Sequence, residues 1–203
     1  MVLFDDLLTA EDFGAAVDGL AREFCNKHEL PAVHQLGLVV SDVEEAARTL
    51  QDRDIGPFLI GSGSPVLWRE RGEERSVRGR IGLAYHRGVE LELLEPADGS
   101  DFYRQSLDPD GRIAVQHLGF LVRDVDEWAE RLNAAGTPTW VRGTIKVGPS
   151  RTEFAYMDTL DETGLIIEFI SWRMFGLKLR PPVGIFEAVW KLWKLKSGNR
   201  KWR

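Results

Sequence analysis

Leu36-Gly37-Leu38-Val39-Val40-Ser41-Asp42-Val43 aligns without a gap on Leu118-Gly119-Phe120-Leu121-Val122-Arg123-Asp124-Val125, about eighty residues later. An acidic, Ala-containing helical stretch follows each copy, Glu44 to Leu50 and Asp126 to Leu132. A second matching pair comes further on, Gly88-Val89-Glu90-Leu91-Glu92-Leu93-Leu94 and Gly164-Leu165-Ile166-Ile167-Glu168-Phe169-Ile170. Self-similarity at a fixed period marks two copies of one strand-helix-strand unit.

The repeat also aligns polar residues. Before the Leu-Gly pair stand His34-Gln35 in the first copy and Gln116-His117 in the second, the same two residue types in swapped order. Side chains alternate across a strand, so Gln35 and His117 should share a face, while His34 and Gln116 should point the other way. The same register pairs Glu92 with Glu168, each four residues after a glycine expected to turn the chain into its strand. Four polar side chains, Gln35, Glu92, His117 and Glu168, thus occupy equivalent strand positions. A carboxylate within the apolar run Leu165 to Ile170 is costly to bury unless its charge is compensated, and a divalent cation would compensate it. One imidazole, two carboxylates and an amide oxygen suit Zn, Ni, Co, Mn or Fe(II), with room left for water or substrate. The plainer alternative puts the two glutamates on solvent-facing strand edges and makes His117 a hydrogen-bonded core histidine.

With these residues in place the chain resembles the vicinal oxygen chelate superfamily, which includes glyoxalase I, methylmalonyl-CoA epimerase, extradiol dioxygenases and bleomycin-resistance proteins. The resemblance spans about residues 32 to 171. The segments VELELLEP (89–96), VQHLGFLVRDV (115–125) and FAYMDT with GLIIEF (154–159 and 164–169) look most like the epimerase branch. It implies an α+β fold: two pseudo-repeated βαβββ modules, about 31–97 and 113–171, forming an open, cupped mixed sheet around one divalent metal ion. It maps the metal ligands onto Gln35, Glu92, His117 and Glu168. Many epimerase-like members have His at the first position, and Gln35 is more like some glyoxalase I enzymes. His34 would replace it only if the strand carried a bulge.

The chemistry expected of such a site is proton transfer beside a carbonyl. The cation acts as a Lewis acid on a carbonyl or carboxylate oxygen, and Glu168 or Glu92 serves as the base. This makes the chain a metal-dependent epimerase, isomerase or glyoxalase-type lyase, with an acyl-CoA or hydrophobic carbonyl compound as substrate. An extradiol Fe(II) dioxygenase fits less well, because Gln35 stands where that chemistry uses a second His and Glu92 adds a carboxylate. A non-catalytic binding protein is the alternative from another class; seven Trp and ten Phe are available to line an apolar pocket.

Composition narrows the field further. The 203 residues, 43% hydrophobic, suffice for one substantial core, and no stretch reaches the ~18–20 uninterrupted apolar residues of a membrane span. Acidic residues follow Met1 where a secretory signal would be basic. One cysteine, Cys25, excludes an internal disulfide and reads as a packing residue; a cytoplasmic location is expected. Residues 171–203 hold nine Lys/Arg against the single acid Glu187, a charge of +8 that leaves −14 for the rest of a chain whose total is −6. So acidic a body argues against nucleic-acid binding by the main domain.

Two extensions flank the repeat. In residues 1–30, Thr9 to Asp12 resembles a helix start, and Phe13, Ala16, Val17, Leu20 and Phe24 recur at helical spacing. In residues 172–203, Val183 to Leu195 reads as an amphipathic helix with Trp190 and Trp193 on its apolar face and Lys191, Lys194 and Lys196 beside it. That helix would pack on the body or on a homodimer partner, cover the pocket, or touch a membrane surface. Gly61-Ser62-Gly63-Ser64 reads as a flexible hairpin loop, Glu70 to Arg80 as a solvated loop or edge hairpin over the site, and His86 as a surface residue in a turn with some chance of reaching substrate.

Overall fold

The structure, a computed structural model, describes residues 1–174 and 177–178. The main part of the C-terminal extension, including the basic helix expected over Val183 to Leu195, lies outside the described residues, as do its packing, lid and membrane roles.

The chain opens with a two-residue strand β1 (Val2–Leu3) and three short helices, α1 (Phe4–Leu8), α2 (Phe13–Gly19) and α3 (Arg22–Lys27). The single N-terminal helix expected from Phe13 to Phe24 is therefore two. Gly19 ends the first, Leu20 is extended, and Ala21 takes a left-handed conformation before α3 begins. Thr9 closes α1 instead of starting α2, its hydroxyl donating to the Asp6 carbonyl at 3.0 Å. Asp12 is the cap of α2, because its carboxylate accepts from Ala15 N–H.

The first module is β2 (Gln35–Val39), α4 (Val43–Gln51), β3 (Leu59–Gly63), the hairpin β4 (Leu67–Glu70) and β5 (Glu73–Glu74), β6 (Arg78–His86) and β7 (Val89–Asp98). The second is β8 (Ala114–Leu121), α5 (Val125–Ala134), β9 (Thr139–Val147), β10 (Ser150–Met157), α6 (Leu160–Thr163) and β11 (Ile166–Met174), followed by β12 (Leu177–Lys178). Each Asp of the repeated motif caps its helix: Asp42 accepts from Glu45 N–H, and Asp124 from Asp126 and Glu127 N–H. Gly88 and Gly164, both at positive φ, make the turns that feed β7 and β11, conformations strained for a residue with a Cβ.

The twelve strands of the described residues join one mixed sheet in the order β3-β6-β7-β2-β8-β11-β10-β9-β4-β5, with β1 added to β8 and β12 to β11. The fold is an open curled half-barrel of the α+β class. The two modules meet as β2 antiparallel to β8, and within each module the first and last strands run parallel, β2 with β7 and β8 with β11. The strands that carry Gln35, Glu92, His117 and Glu168 thus lie side by side at the centre of the sheet.

Alternation divides the side chains between two cores. Leu36, Leu38, Leu118, Phe120 and Phe169 pack on one face with Val43, Ala47 and Leu50 of α4, Val125 and Leu132 of α5, and Phe4, Phe13 and Phe24 of the N-terminal helices. Burial at each of these large side chains stabilises the fold by roughly 1.5–3 kcal/mol before entropy is counted. The other face carries Val39, Leu94, Val141, Phe154, Tyr156 and Ile166, closed over by Trp68 of β4 and by Phe102 and Tyr103 of the inter-module linker.

Two surface segments have definite places. Gly61 to Gly63 is not a loop; it pairs with Ile81 to Gly79 of β6, since backbone pairing at a sheet edge needs no side chain. Glu70 to Arg80 includes the expected edge hairpin, and β4 pairs with β9 of the other module, Leu67 opposite Thr144 and Trp68 opposite Gly143. The first module thereby straps itself to the far edge of the second. His86 packs edge-on against Phe13, ring centroids 5.2 Å apart, on the helix-covered face, so it does not reach the site. Cys25 is half-buried against the same core. No helix among the described residues is long and apolar enough to cross a membrane.

Candidate metal centre

Two glycines organise the inner face. Gly37 of β2 lies in register between Glu92 of β7 and His117 of β8, and Gly119 of β8 lies in register between Gln35 of β2 and Glu168 of β11. Directly paired residues project to the same side of a sheet, so all four polar side chains rise from the inner face. The glycines make the room. A Cβ on Gly37 would fall 1.9 Å from His117 Cε1, and one on Gly119 would fall 2.9 Å from Gln35 Oε1.

Three of the four converge directly. His117 Nε2 is 3.1 Å from Glu168 Oε2 and 3.6 Å from Glu92 Oε2, and one ligand atom from each of the three lies within 4.8 Å of the others. His117 has no exposed side-chain surface and Glu168 only 5%, whereas Glu92 keeps 14% and marks the side from which the group is reached. His34 is not in this group. Its N–H donates to the Gly119 carbonyl and its own carbonyl accepts from Glu90 N–H, which fixes its backbone between β8 and β7.

Gln116 departs from simple alternation. The pairing of β2 with β8 slips by one residue after Gly37, with Gly37 opposite His117 but Leu38 opposite Val115, so β8 carries a bulge at Gln116. Gln116 therefore does not point away from His117 as alternation predicts. Its Oε1 is 3.1 Å from His117 Nδ1, and its Nε2 donates to the Phe102 carbonyl at 3.0 Å. An amide oxygen only accepts, so Nδ1 carries a proton, and Nε2 faces the two carboxylates, protonated when the ring is charged and a lone-pair nitrogen once a cation takes that proton's place.

Further polar groups complete the inner face. Gln35 Nε2 donates to Glu90 Oε1 at 2.7 Å, and the Tyr85 hydroxyl donates to Glu90 Oε2. The hydroxyls of Tyr103 and Tyr156 are 3.2 Å apart, and the Tyr156 ring meets the His117 ring edge-on at 5.0 Å. Trp68, Phe102, Trp140 and Phe154 wall this region with aromatic surface. Sequence alternation alone does not single out Glu90, Tyr103 or Tyr156. Glu90 looks like one more alternating strand glutamate, and Tyr103 belongs to the linker.

Electrostatics follow from this crowding. Burial alone would push the His117 imidazole down, but the carboxylates of Glu168 and Glu92 outweigh it and hold it up at about 9. Burial pushes the Glu92 carboxyl up, the His117 contact pulls it back, and the like charge of Glu168 raises it again. Glu90 is likewise raised by burial and drawn back by His34, Tyr85 and Gln35. Burial first, then the nearby carboxylates, keep both tyrosine hydroxyls protonated well above their ordinary range.

The family model for the Glyoxalase/Bleomycin resistance protein/Dioxygenase superfamily matches residues 26–156. The chain belongs to this superfamily. No curated protein sequence gives a significant match. Among solved structures, a methylmalonyl-CoA epimerase from Mycobacterium tuberculosis is similar over 68% of this chain and 85% of its own, at 19% identity and a TM-score of 0.46. A Streptomyces coelicolor methylmalonyl-CoA epimerase variant in complex with 2-nitronate-propionyl-CoA covers 68% and 94%, at 16% identity and a TM-score of 0.46. A hypothetical protein from Bacillus halodurans C-125 covers 68% and 91%, at 13% identity and a TM-score of 0.44.

The side chains of this superfamily member suit a divalent cation. Of six buried side-chain polar atoms without a hydrogen-bond partner among the described residues, three are Gln35 Oε1, His117 Nε2 and Glu168 Oε2. His117 Nε2 and Glu168 Oε2 meet only each other, as an ion pair at 3.1 Å, and Gln35 Oε1 has no hydrogen bond; buried polar atoms are rarely left so, and one cation on this sheet face would serve all three. Ligand atoms about 2.1 Å from a cation stand roughly 3.0–3.4 Å apart between neighbouring positions, close to the 3.1 and 3.6 Å observed here. The set of oxygens with one imidazole nitrogen fits Mn, Fe(II), Co, Ni or Zn.

Proposed function

We propose that this protein is a metal-dependent enzyme that moves a proton at the carbon next to a carbonyl, an epimerase, isomerase or glyoxalase-type lyase. Gln35, Glu92, His117 and Glu168 hold one divalent cation, and the substrate is a small carbonyl compound, with acyl-CoA thioesters and hydrophobic ketones as the first to screen. The observation that carries the reading is the convergence of two carboxylates on the one imidazole, with the buried Gln35 Oε1 beside them left without a hydrogen bond.

When bound, the cation supplies Lewis-acid polarisation of a substrate oxygen, which acidifies the neighbouring C–H bond. The protein does the rest. Gln116 holds His117 with Nε2 inward and Nδ1 protonated, so with Nε2 taken up as a ligand the imidazole would not be the group that accepts the substrate proton. Glu92 and Glu168 flank His117 from strands of different modules, and either carboxylate, on releasing the cation, would take the substrate proton. Glu92 has the more open approach. With bases on two sides, a proton removed from one face can be returned to either, which is what separates epimerisation from simple exchange. The aromatic wall of Trp68, Phe102 and Phe154 excludes water and favours an apolar substituent beside the reacting carbon.

The test is exchange of the α-proton for solvent deuterium, followed by proton NMR on a panel of acyl-CoA and ketone substrates with Mn, Co, Ni or Zn supplied. Metal-dependent exchange that falls at least 100-fold in both Glu92→Gln and Glu168→Gln supports the reading. Exchange in neither the wild type nor any metal-loaded form contradicts it.

A further inference from the structure

Glu90 is a half-buried carboxylate that the chemistry above does not use. It lies on the inner face two residues before Glu92, in register with Gln35 across β2 and with Tyr85 across β6. Both oxygens are engaged: Oε1 accepts from Gln35 Nε2 at 2.7 Å and Oε2 accepts from the Tyr85 hydroxyl. A primary amide has a donor end and an acceptor end, and its partners decide which way it faces. A carboxylate held by two donors can only accept, so it must receive the NH2 of Gln35. The amide oxygen is then the other end, buried and unpaired over Gly119. An apolar residue at position 90 would let the amide turn and offer its NH2, which binds no cation.

The second module makes the same point by contrast. By the repeat, the counterpart of Glu90 is Ile166, fully buried and apolar. The counterpart of Gln35 is His117, whose orientation is set instead by Gln116 Oε1 on Nδ1. Each nitrogen-bearing side chain thus has one acceptor on the group that must face away from the site, and the acceptor stands where that ligand's geometry requires it.

We propose that Glu90 is a positioning residue for the cation site, holding the Gln35 amide with its oxygen inward while Tyr85 holds Glu90 in place. The inference rests on reading Gln35 as the fourth ligand. It explains why a carboxylate that is costly to desolvate stands beside Glu92.

The experiment is Mn2+ binding to the full chain, by calorimetry and by loss of the free-ion electron paramagnetic resonance signal, for wild type, Gln35→Ala, Glu90→Leu, the Gln35→Ala/Glu90→Leu double variant, Glu90→Gln and Tyr85→Phe. Groups that orient a ligand are worth about 10–100-fold in affinity. Glu90→Leu is expected to weaken Mn2+ by that factor, Tyr85→Phe by less, and Glu90→Gln least, because its amide oxygen still accepts from Gln35. In the Gln35→Ala background Glu90→Leu should cost nothing further, which a merely structural role would not produce. An undiminished Glu90→Leu loss in that background overturns the proposal, as does wild-type affinity in Glu90→Leu. If Glu90→Leu does not fold by circular dichroism, Tyr85→Phe with and without Gln35→Ala makes the same comparison. Wild-type affinity in Gln35→Ala, with binding lost in His117→Ala, overturns the positioning role but leaves the three-residue cation site standing. No Mn2+ binding by the wild type contradicts the cation reading itself.

Discussion

Gly37→Ala puts the arrangement of the site under direct strain. The added Cβ would lie 1.9, 2.1 and 2.2 Å from Cε1, Nδ1 and Nε2 of His117, inside the ring's own volume. Restoring ordinary van der Waals separation, about 3.4–4 Å, means moving the ring by roughly 1.5 Å or more. A ligand atom must sit within about 0.2 Å of its proper distance, so His117 would leave the coordination sphere. Because the ring is fully buried and tied to Gln116, it cannot swing aside without disturbing its neighbours. Overpacking of this kind costs roughly 1–3 kcal/mol, equivalent to a fall in Tm of about 2–4 °C per kcal/mol for a chain of this size. Gly61→Ala is the control, since nothing lies within 4 Å of its added Cβ and its backbone is unstrained. Thermal unfolding and Mn2+ or Ni2+ calorimetry on wild type and both variants provide the assay. Gly37→Ala should lose at least 100-fold in affinity while Gly61→Ala matches wild type. Unchanged metal affinity in Gly37→Ala would refute the placement of the imidazole over Gly37.

Three further outcomes follow from the same geometry. Gln116→Ala removes the acceptor on His117 Nδ1 and should weaken metal binding about 10–100-fold; equal affinity by calorimetry would show that Gln116 does not set the tautomer. His34→Ala should leave bound metal nearly unchanged whereas His117→Ala abolishes it, as read by elemental analysis of the two purified variants; loss of metal in the His34 variant alone would overturn the register assignment. In metal-free protein the folded His117 is held up at about 9, above the ordinary 6.5, so its contribution to stability is complete below about pH 6.5 and lost as pH rises through about 9. At roughly 1.4 kcal/mol per pH unit this amounts to about 3 kcal/mol, measurable as the difference in urea unfolding between wild type and His117→Gln at pH 6 and pH 9.5. A difference that grows with pH would contradict it. Metal binding competes with the same proton, so affinity should rise with pH over that window.

Much of this was legible in particular residues. The aligned LGLVVSDV and LGFLVRDV segments announce the two modules, and each Asp caps its helix as its position before the acidic stretch suggests. Strand parity separates Gln35 from His34 because β2 is regular up to Gly37. The same parity misplaces Gln116 because β8 carries one extra residue there, an event set by long-range pairing that leaves no local mark. Gly61 to Gly63 has the composition of a loop, yet its edge position in the sheet is decided by β6. Glu90 alternates with leucines as a solvent-facing residue would, and only its two cross-strand partners reveal an inward, hydrogen-bonded carboxylate. Tyr103 and Phe102 reach the inner face from a linker, where no periodicity guides the eye.

Whether Glu92, His117 and Glu168, with Gln35, hold a divalent cation is decided by elemental analysis of the purified full chain, before and after reconstitution and alongside the four single alanine variants. About one divalent ion per chain, lost in the Glu92, His117 and Glu168 variants and weakened in Gln35→Ala, is the predicted result. A wild-type protein that holds no metal even after reconstitution would contradict it and make the aromatic inner face the site of a non-catalytic ligand-binding protein.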